Sequence, residues 1–538
     1  MKRRLRSFAG LVVPLVFLGV ACEPCVYIDK PIPSNETSPN SSTRLIPRDW
    51  IAEWTLLIYA ANDDLDPTLV AAFDEDALEW QHGLGGSALF RVLVQRDYAP
   101  FQLTADGLPR PSERYAIYRE ERHHPEHAPG TGAPEAMLLG ETDTTSSTTL
   151  RDFLVYGIRT FPARHYWIAF TGHGDGFAGL AHDASAGNGR RLPLAGLAAA
   201  LSEASAVITS EIRAKPEYGG PNTSNRIDVV SFDACRLGAI EVAASLADTA
   251  DYMIASQESV PNGGHPYGAL RYIAQDEPGS NPRTLVKAIV TDYVRAYVDG
   301  VSTAGRSYVG TSVTSVGVDL NRIGDLETSL AKVATAVERT RPQGFSCADM
   351  QSLLDAACAE ARVAAPRDAH DEPPRTNPTP ASVASVDLIA LLEHLARGSQ
   401  CNAVSQDSAA PQDDIALAAE NALSIIGRPR ELPPLEYAGQ YRTITEFGPS
   451  SPFVVEAQRV DPGTGIHLGG LSVLFGNPYD LLYQTDGHSL FDTYRSLPFE
   501  ADTGWTRVFA ACIAEAQACR AYVPPPGESV SEGPCGKL

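Results

Sequence analysis

The sequence predicts an α/β fold: a mostly parallel sheet flanked by helices, followed by a C-terminal α+β extension. Two observations carry this. Short β-branched and apolar runs alternate with segments of helical periodicity from Trp54 to Ser256, the pattern of a parallel sheet covered on both faces. Two of those runs, Tyr166–Phe170 and Ile227–Phe232, break off into Thr171-Gly172-His173-Gly174 and Asp233-Ala234-Cys235. Open α/β sheets place their crevices beyond the carboxyl ends of strands. A His and a Cys at two such ends suggest a cysteine nucleophile with a histidine general base.

The elements follow in order. Trp54–Ala60 reads as the first core strand, and Asn62-Asp63-Asp64 as a turn. Leu65–Trp80 has helical spacing, Leu89–Gln95 is a second strand, and Arg114–Tyr118 a short one. Thr145–Ile158 opens with an N-cap cluster of Thr and Ser,. The strand ending before His173 is followed by a Gly-rich loop carrying Arg190-Arg191, then a helix over Leu192–Ala204. After the strand ending before Cys235 come a helix at Gly238–Leu246 and a strand at Asp251–Ser256. Pro282–Val298 reads as helix, Ser307–Val318 as strand, Val386–Leu395 as helix, Gly469–Phe475 as strand and Thr503–Ala518 as helix. His165 reads as a surface residue and His265 as a loop residue near the crevice. The cluster His123-His124-Pro125-Glu126-His127 lies in a polar loop with nothing to fix a metal,.

The 538 residues divide into a signal peptide (1–21), a Pro/Ser-rich tether (22–50), a catalytic domain (51–325), an extension (326–523) and an irregular tail (524–538). A Pro-rich insertion, 366–382, interrupts the extension. Lys2, Arg3, Arg4 and Arg6 precede the apolar run Phe8–Val20, which is too short to span a membrane comfortably and reads as a signal-peptide core,. Leu18-Gly19-Val20-Ala21-Cys22 resembles a bacterial lipoprotein signal, with Leu18 one residue too early. The chain is therefore expected to be exported, either anchored to a membrane through a lipid on Cys22 or secreted. Nine cysteines in an exported chain allow disulfides among those near the C-terminus,. A net charge of −23 argues against nucleic acid as a partner,.

The motif words add to this reading. His173-Gly174 after one strand and Asp233-Ala234-Cys235 after another resemble the clostripain family of cysteine peptidases, relatives of caspases, gingipains and legumain. WTLLIYAANDDLD, Glu241-Val242-Ala243, DYMIASQESVPNGGHPY, SVDLIALLEHL and GGLSVLF extend the likeness over most of residues 51–510. The resemblance implies a caspase-like sheet, with Cys235 as nucleophile and His173 as general acid/base. The N–H groups of Gly174 and Cys235 are candidates for the oxyanion hole. By the same resemblance Asp233 is the acidic residue of the S1 pocket, so protein or peptide substrates would be cut after Arg or Lys. Otherwise Asp233 is a strand-end cap. Arg190 and Arg191 are candidates for self-cleavage. No cofactor or metal site is expected. The resemblance allows calcium dependence, but Asp63, Asp64 and Asp66 read as a solvated turn or helix cap. A surface binding protein on the same fold, or a peptidase with a non-basic S1 pocket, are the alternatives.

Overall fold

The computed structural model describes residues 52–84, 90–118, 121–127, 134–186, 190–219, 223–267, 281–299, 313–339, 385–396, 410–427, 453–460, 470–474 and 490–509, with four short strands between 429 and 447. The signal peptide, tether, Cys22, the insertion 366–382, the tail 524–538 and every cysteine other than Cys235 lie outside the described residues.

Strand β1 (Ala52–Ala60) pairs in parallel with β2 (Phe90–Arg96) on one side and β6 (Ala163–Thr171) on the other. Parallel pairing continues from β6 to β7 (Ile227–Asp233) and from β7 to β8 (Ala250–Ala255). The flanks turn antiparallel. β3 (Ser112–Tyr118) pairs with β2 and carries β4 (Glu121–His123) and β5 (Met137–Gly140), while β9 (Val313–Asp319) pairs with β8. Parallel strands need long crossovers. Helices α1 (Pro67–Glu79), α2 (Ser147–Thr160), α3 (Leu194–Val207) and α4 (Ile240–Leu246) supply them. Every residue of β7 is buried, as a strand covered on both faces must be.

The expected boundary after residue 325 falls within helix α6 (Ile323–Arg339), which follows α5 (Pro282–Asp299). Beyond it lie β10 (Ser385–Asp387), α7 (Leu388–Ala396) and α8 (Ala410–Ile426). Short strands β11 (Pro429–Glu431) to β14 (Thr445–Phe447) enclose β12 (Leu435–Tyr437) and β13 (Gln440–Arg442). Strand β15 (Val454–Val460) then returns and adds antiparallel to β9, so the extension completes the main sheet. A small pair, β10 with β16 (Ser472–Leu474), sits beside it. The run read as helix from Val386 begins as this strand, because Val386 finds Val473 as its partner. Two short helices, α9 (Leu490–Arg495) and α10 (Pro498–Thr503), close the described chain, and Trp505 is fully buried.

Polar side chains tie the extension to the sheet. Buried Gln257 donates to Asp387 Oδ2 at 2.8 Å and to the Leu471 carbonyl at 3.0 Å, and accepts from Gly470 N–H at 3.0 Å. Glu241 Oε1 accepts from Leu474 N–H at 2.7 Å and from the Tyr494 hydroxyl at 3.1 Å. His165 is a correction to the sequence reading. It is buried within β6, with Nδ1 2.7 Å from Asp228 Oδ1 and its ring stacked on Trp54.

Burial pushes the Glu241 carboxyl up to about 7, against the pull of its hydrogen bonds. In the unfolded chain it ionises near 4.5, so between these values the folded state holds a proton that the unfolded state has lost, and stability falls as pH rises,. Glu241→Gln keeps the acceptor oxygen. Denaturation curves of this variant and the wild type should coincide near pH 4.5, and at pH 8 the variant should be more stable by up to about 3 kcal/mol. Gln257→Ala strands Asp387 and Gly470 and should lower the urea midpoint by the equivalent of about 2–4 kcal/mol.

Candidate active site

The site begins with strand register. Ala60 of β1 lies opposite Thr171 of β6, and Thr171 lies opposite Asp233 of β7. Three neighbouring strands therefore end level. His173 and Cys235 each stand two residues past a paired position, and Asp63 and Asp64 follow β1. The chain runs from β1 to β2 on one side and returns as β6 on the other, so the crevice lies at a change of strand direction, where open sheets bind ligands.

Cys235 does not continue β7. The strand stops at Asp233, and Cys235 sits in the turn that follows. Asp233 and Cys235 therefore do not share a side through strand alternation, as extended geometry would require. Arg236 next to it adopts φ 63°, a left-handed conformation that costs a non-glycine residue of order 1 kcal/mol,. Its N–H bonded to the Glu258 carbonyl at 3.0 Å holds it there. The thiol is half-buried, and Sγ accepts from Val260 N–H at 3.3 Å. Gly174 packs directly on this turn. A Cβ there would come within 2.3 Å of the Cys235 carbonyl oxygen and 3.1 Å of its nitrogen. Only glycine permits so close an approach, which brings the two candidate oxyanion N–H groups onto one patch of backbone.

His173 is fixed from β1. Its Nε2 lies 2.7 Å from Asp64 Oδ2. An ionised carboxylate only accepts, so Nε2 carries the hydrogen of this bond and Nδ1 is left for other contacts. Burial raises the Asp64 carboxyl, but the His173 hydrogen bond, the Asp66 N–H and the charges of His173 and His182 outweigh it and hold the group below its ordinary value. His182 packs edge-on against His173 at 5.7 Å between ring centroids, and burial together with the charge of His173 pushes its own pKa down.

Residues 133–371 match the model of the clostripain family. The matched stretch, under half of the chain, is similar to the clostripain family. The matched family is one of cysteine peptidases. A secreted C11 cysteine protease from Bacteroides thetaiotaomicron, solved with an irreversible peptide inhibitor, is 16% identical, aligned over 84% of this chain and 99% of its own, with a TM-score of 0.47. An inactive zymogen C11 protease from Parabacteroides distasonis is 15% identical over 84% and 99%, also at 0.47. A second structure of a secreted C11 protease from B. thetaiotaomicron is 13% identical over 84% and 100%, at 0.48. No curated protein matches.

The other candidates fall as follows. Asp233 is 7% exposed and accepts from His265 N–H at 3.0 Å, so it does cap a loop. The Tyr267 hydroxyl also bonds to it. His265 itself is buried against Tyr293, with ring centroids 4.5 Å apart, so it packs and does not face the crevice. Arg190 is exposed, and Arg191 pairs with Asp175 at 3.0 Å, while Gly187–Gly189 lie outside the described residues. Asp251 pairs with Arg226 at the far end of the sheet, away from the crevice. The sequence reading missed Asp64, which is 9% exposed and bonded to His173, not a solvated turn residue. Its only local signal was its place directly after a buried strand. It also missed that Asp63 and Asp97 are buried beside Glu141 and Asp183. Burial, then the charges of Glu141 and Asp183 among the unfavourable contacts, push the Asp97 carboxyl up to about 8 despite the Ser112 hydrogen bond.

Gly174→Ala forces the Cys235 turn aside. It should cost about 1–3 kcal/mol in a urea titration and slow alkylation of Cys235 by iodoacetamide relative to wild type.

Proposed function

We propose that this chain is an exported endopeptidase in which Cys235 attacks the scissile carbonyl and His173 transfers the protons, with cleavage after Arg or Lys. The observation that carries the reading is the level register of β6 and β7, with His173 and Cys235 two residues beyond the paired Thr171 and Asp233. In this mechanism His173 Nδ1 takes the thiol proton and returns it to the leaving amine. Asp64 keeps the ring in the tautomer that can do so. The N–H groups of Gly174 and Cys235 hold the oxyanion. These assignments rest on the proximity of Gly174 to Cys235 and on the His173–Asp64 bond.

Basic specificity is supported by the buried acids Asp233, at the end of β7, and Asp76. Gly264, at φ 61°, lies over Asp233 and Asp76, where a Cβ would sit 3.0 Å and 3.2 Å from their carboxylate oxygens. Glycine there lets the loop pack closely on both acids, whose negative charge suits a guanidinium or ammonium. Self-cleavage at Arg190 or Arg191 is proposed because Arg190 is exposed on a loop that begins beside the dyad,. Among the described residues no helix is long and apolar enough to cross a membrane. Export, with a lipid on Cys22 or as a secreted product, rests on the N-terminal sequence alone, and N-terminal sequencing of the mature protein tests it.

Fluorogenic peptides ending in Arg, Lys or Asp discriminate the readings. Hydrolysis after Arg and Lys only, abolished by iodoacetamide and by Cys235→Ala, is expected. Asp233→Asn should lower kcat/KM for Arg peptides by about 30-fold or more. Asp64→Ala should lower kcat about 10–100-fold with KM little changed, Asp64→Asn falling between. Cleavage after Asp would remove the basic pocket. No hydrolysis by correctly processed protein would favour a binding protein. A Cys235→Ala chain that still divides at Arg190 or Arg191 would end the self-cleavage proposal.

A further inference from the structure

Asp175 is a buried carboxylate with no part in the chemistry assigned so far. It stands two residues after His173, is 4% exposed, and ends between two guanidinium groups. Arg191 Nη2 lies 3.0 Å from its Oδ2, and Arg236 Nη1 lies 4.0 Å from its Oδ1. Arg191 belongs to the far end of the loop that begins at His173, and Arg236 directly follows Cys235. One acid therefore faces both segments that carry the dyad. The longer contact is Coulombic, not a hydrogen bond, and such attraction is screened less when the groups are partly buried.

The backbone leaves this acid little choice of place. Gly174 before it lies against the Cys235 carbonyl. Gly176 after it, at φ 56°, lies against the Arg236 carbonyl, where a Cβ would stand 3.5 Å from the oxygen. Asp175 N–H donates to the Gly179 carbonyl at 3.0 Å, and Ala181 N–H to the His173 carbonyl at 2.9 Å. Leu180 and Leu192 exchange backbone hydrogen bonds at 3.1 Å and 2.8 Å, which clamps the chain just beyond Arg191. Arg236 is the opposite case. Its left-handed backbone is held by its N–H bond to the Glu258 carbonyl, and that bond fixes neither its side chain nor its carbonyl. A strained residue persists only where its surroundings over-determine it. An ion pair through the guanidinium adds a second hold.

We propose that Asp175 is a positioning residue. Its carboxylate holds Arg236, and through Arg236 the turn that presents the Cys235 thiol. Arg191 completes the charge balance and ties the end of the loop after His173 to the same turn. The proposal rests on the reading above in which Cys235 is the nucleophile.

The test reads Cys235 in two ways: its alkylation by iodoacetamide, followed on the Cys235 peptide by mass spectrometry, and hydrolysis of a fluorogenic peptide ending in Arg. Asp175→Asn and Arg236→Gln should each slow alkylation and lower kcat about 10–100-fold, with KM within about twofold. Arg236→Lys keeps the charge and should recover most of both rates. Arg191→Gln should have a smaller effect, about threefold, because Arg236 still faces the acid. The double variant Asp175→Asn/Arg236→Gln should be no slower than the slower single one, since the two residues act as a unit. A purely electrostatic influence predicts the reverse for Asp175→Asn: removing a negative charge near the thiol favours the thiolate and speeds alkylation. Wild-type or faster alkylation in Asp175→Asn therefore overturns the proposal. So do additive losses in the double variant, or a loss confined to KM. If Asp175→Asn does not fold, Arg236→Lys against Arg236→Gln decides: equal rates in the two overturn it. Peptide hydrolysis that survives Cys235→Ala would instead end the reading of Cys235 as nucleophile, and alkylation alone would then decide whether Asp175 orders the turn.

Discussion

The level ending of β1, β6 and β7 is the constraint on which the rest depends. Parallel strands cannot be joined by tight turns, so each leaves the sheet through a loop at the same edge. Ala60, Thr171 and Asp233 lie side by side in register. A slip of one residue in β6 would turn every side chain of that strand to the opposite face. The two faces pack into different cores, Ile168, Phe170, Val230 and Phe232 in one and Trp167, Ala169 and Val229 in the other, so exchanging them would leave cavities on one side and overpack the other,. The placement of His173 and Cys235 is thus enforced by core packing some residues away.

Much of the fold was legible because its signals are local. The runs around Tyr59, Val94, Ile168 and Val230 are apolar over lengths that suit strands, and the glycines and polar residues after them mark where they stop. Pairing is not local. Nothing in the sequence of Val454–Val460 says that it adds to β9, and the boundary placed after residue 325 missed that the extension finishes the sheet. Val386 was read as helical because the apolar residues after it are helical, yet its own partner is Val473.

The site was legible by halves for the same reason. His173, Asp233 and Cys235 stand at the ends of readable strands. Asp64 stands at one too, but its partner is 109 residues away, and three acids in four positions ordinarily mean a solvated turn. His165 was misjudged for a matching reason, since Asp228, its hydrogen-bond partner, is 63 residues distant. A charged side chain in a strand is taken as a surface signal until its partner is known. Strand periodicity also does not describe Cys235, which sits in a turn beside the left-handed Arg236.

The extension is integral to this arrangement. Arg236 follows Cys235 and is bonded to Glu258; the neighbouring Gln257 reaches Asp387, Gly470 and Leu471. Gly238 accepts from Ser472 N–H at 2.8 Å, and Glu241 holds Leu474 and Tyr494. The turn that carries the thiol is therefore backed, within six residues on its C-terminal side, by polar bonds to a segment more than two hundred residues later. These bonds are buried and directional, so they constrain position more sharply than apolar contacts of equal area. A left-handed Arg236 persists only where its surroundings over-determine it. The extension supplies part of that surround, which gives residues far from the crevice in sequence a direct physical hold on the geometry of Cys235.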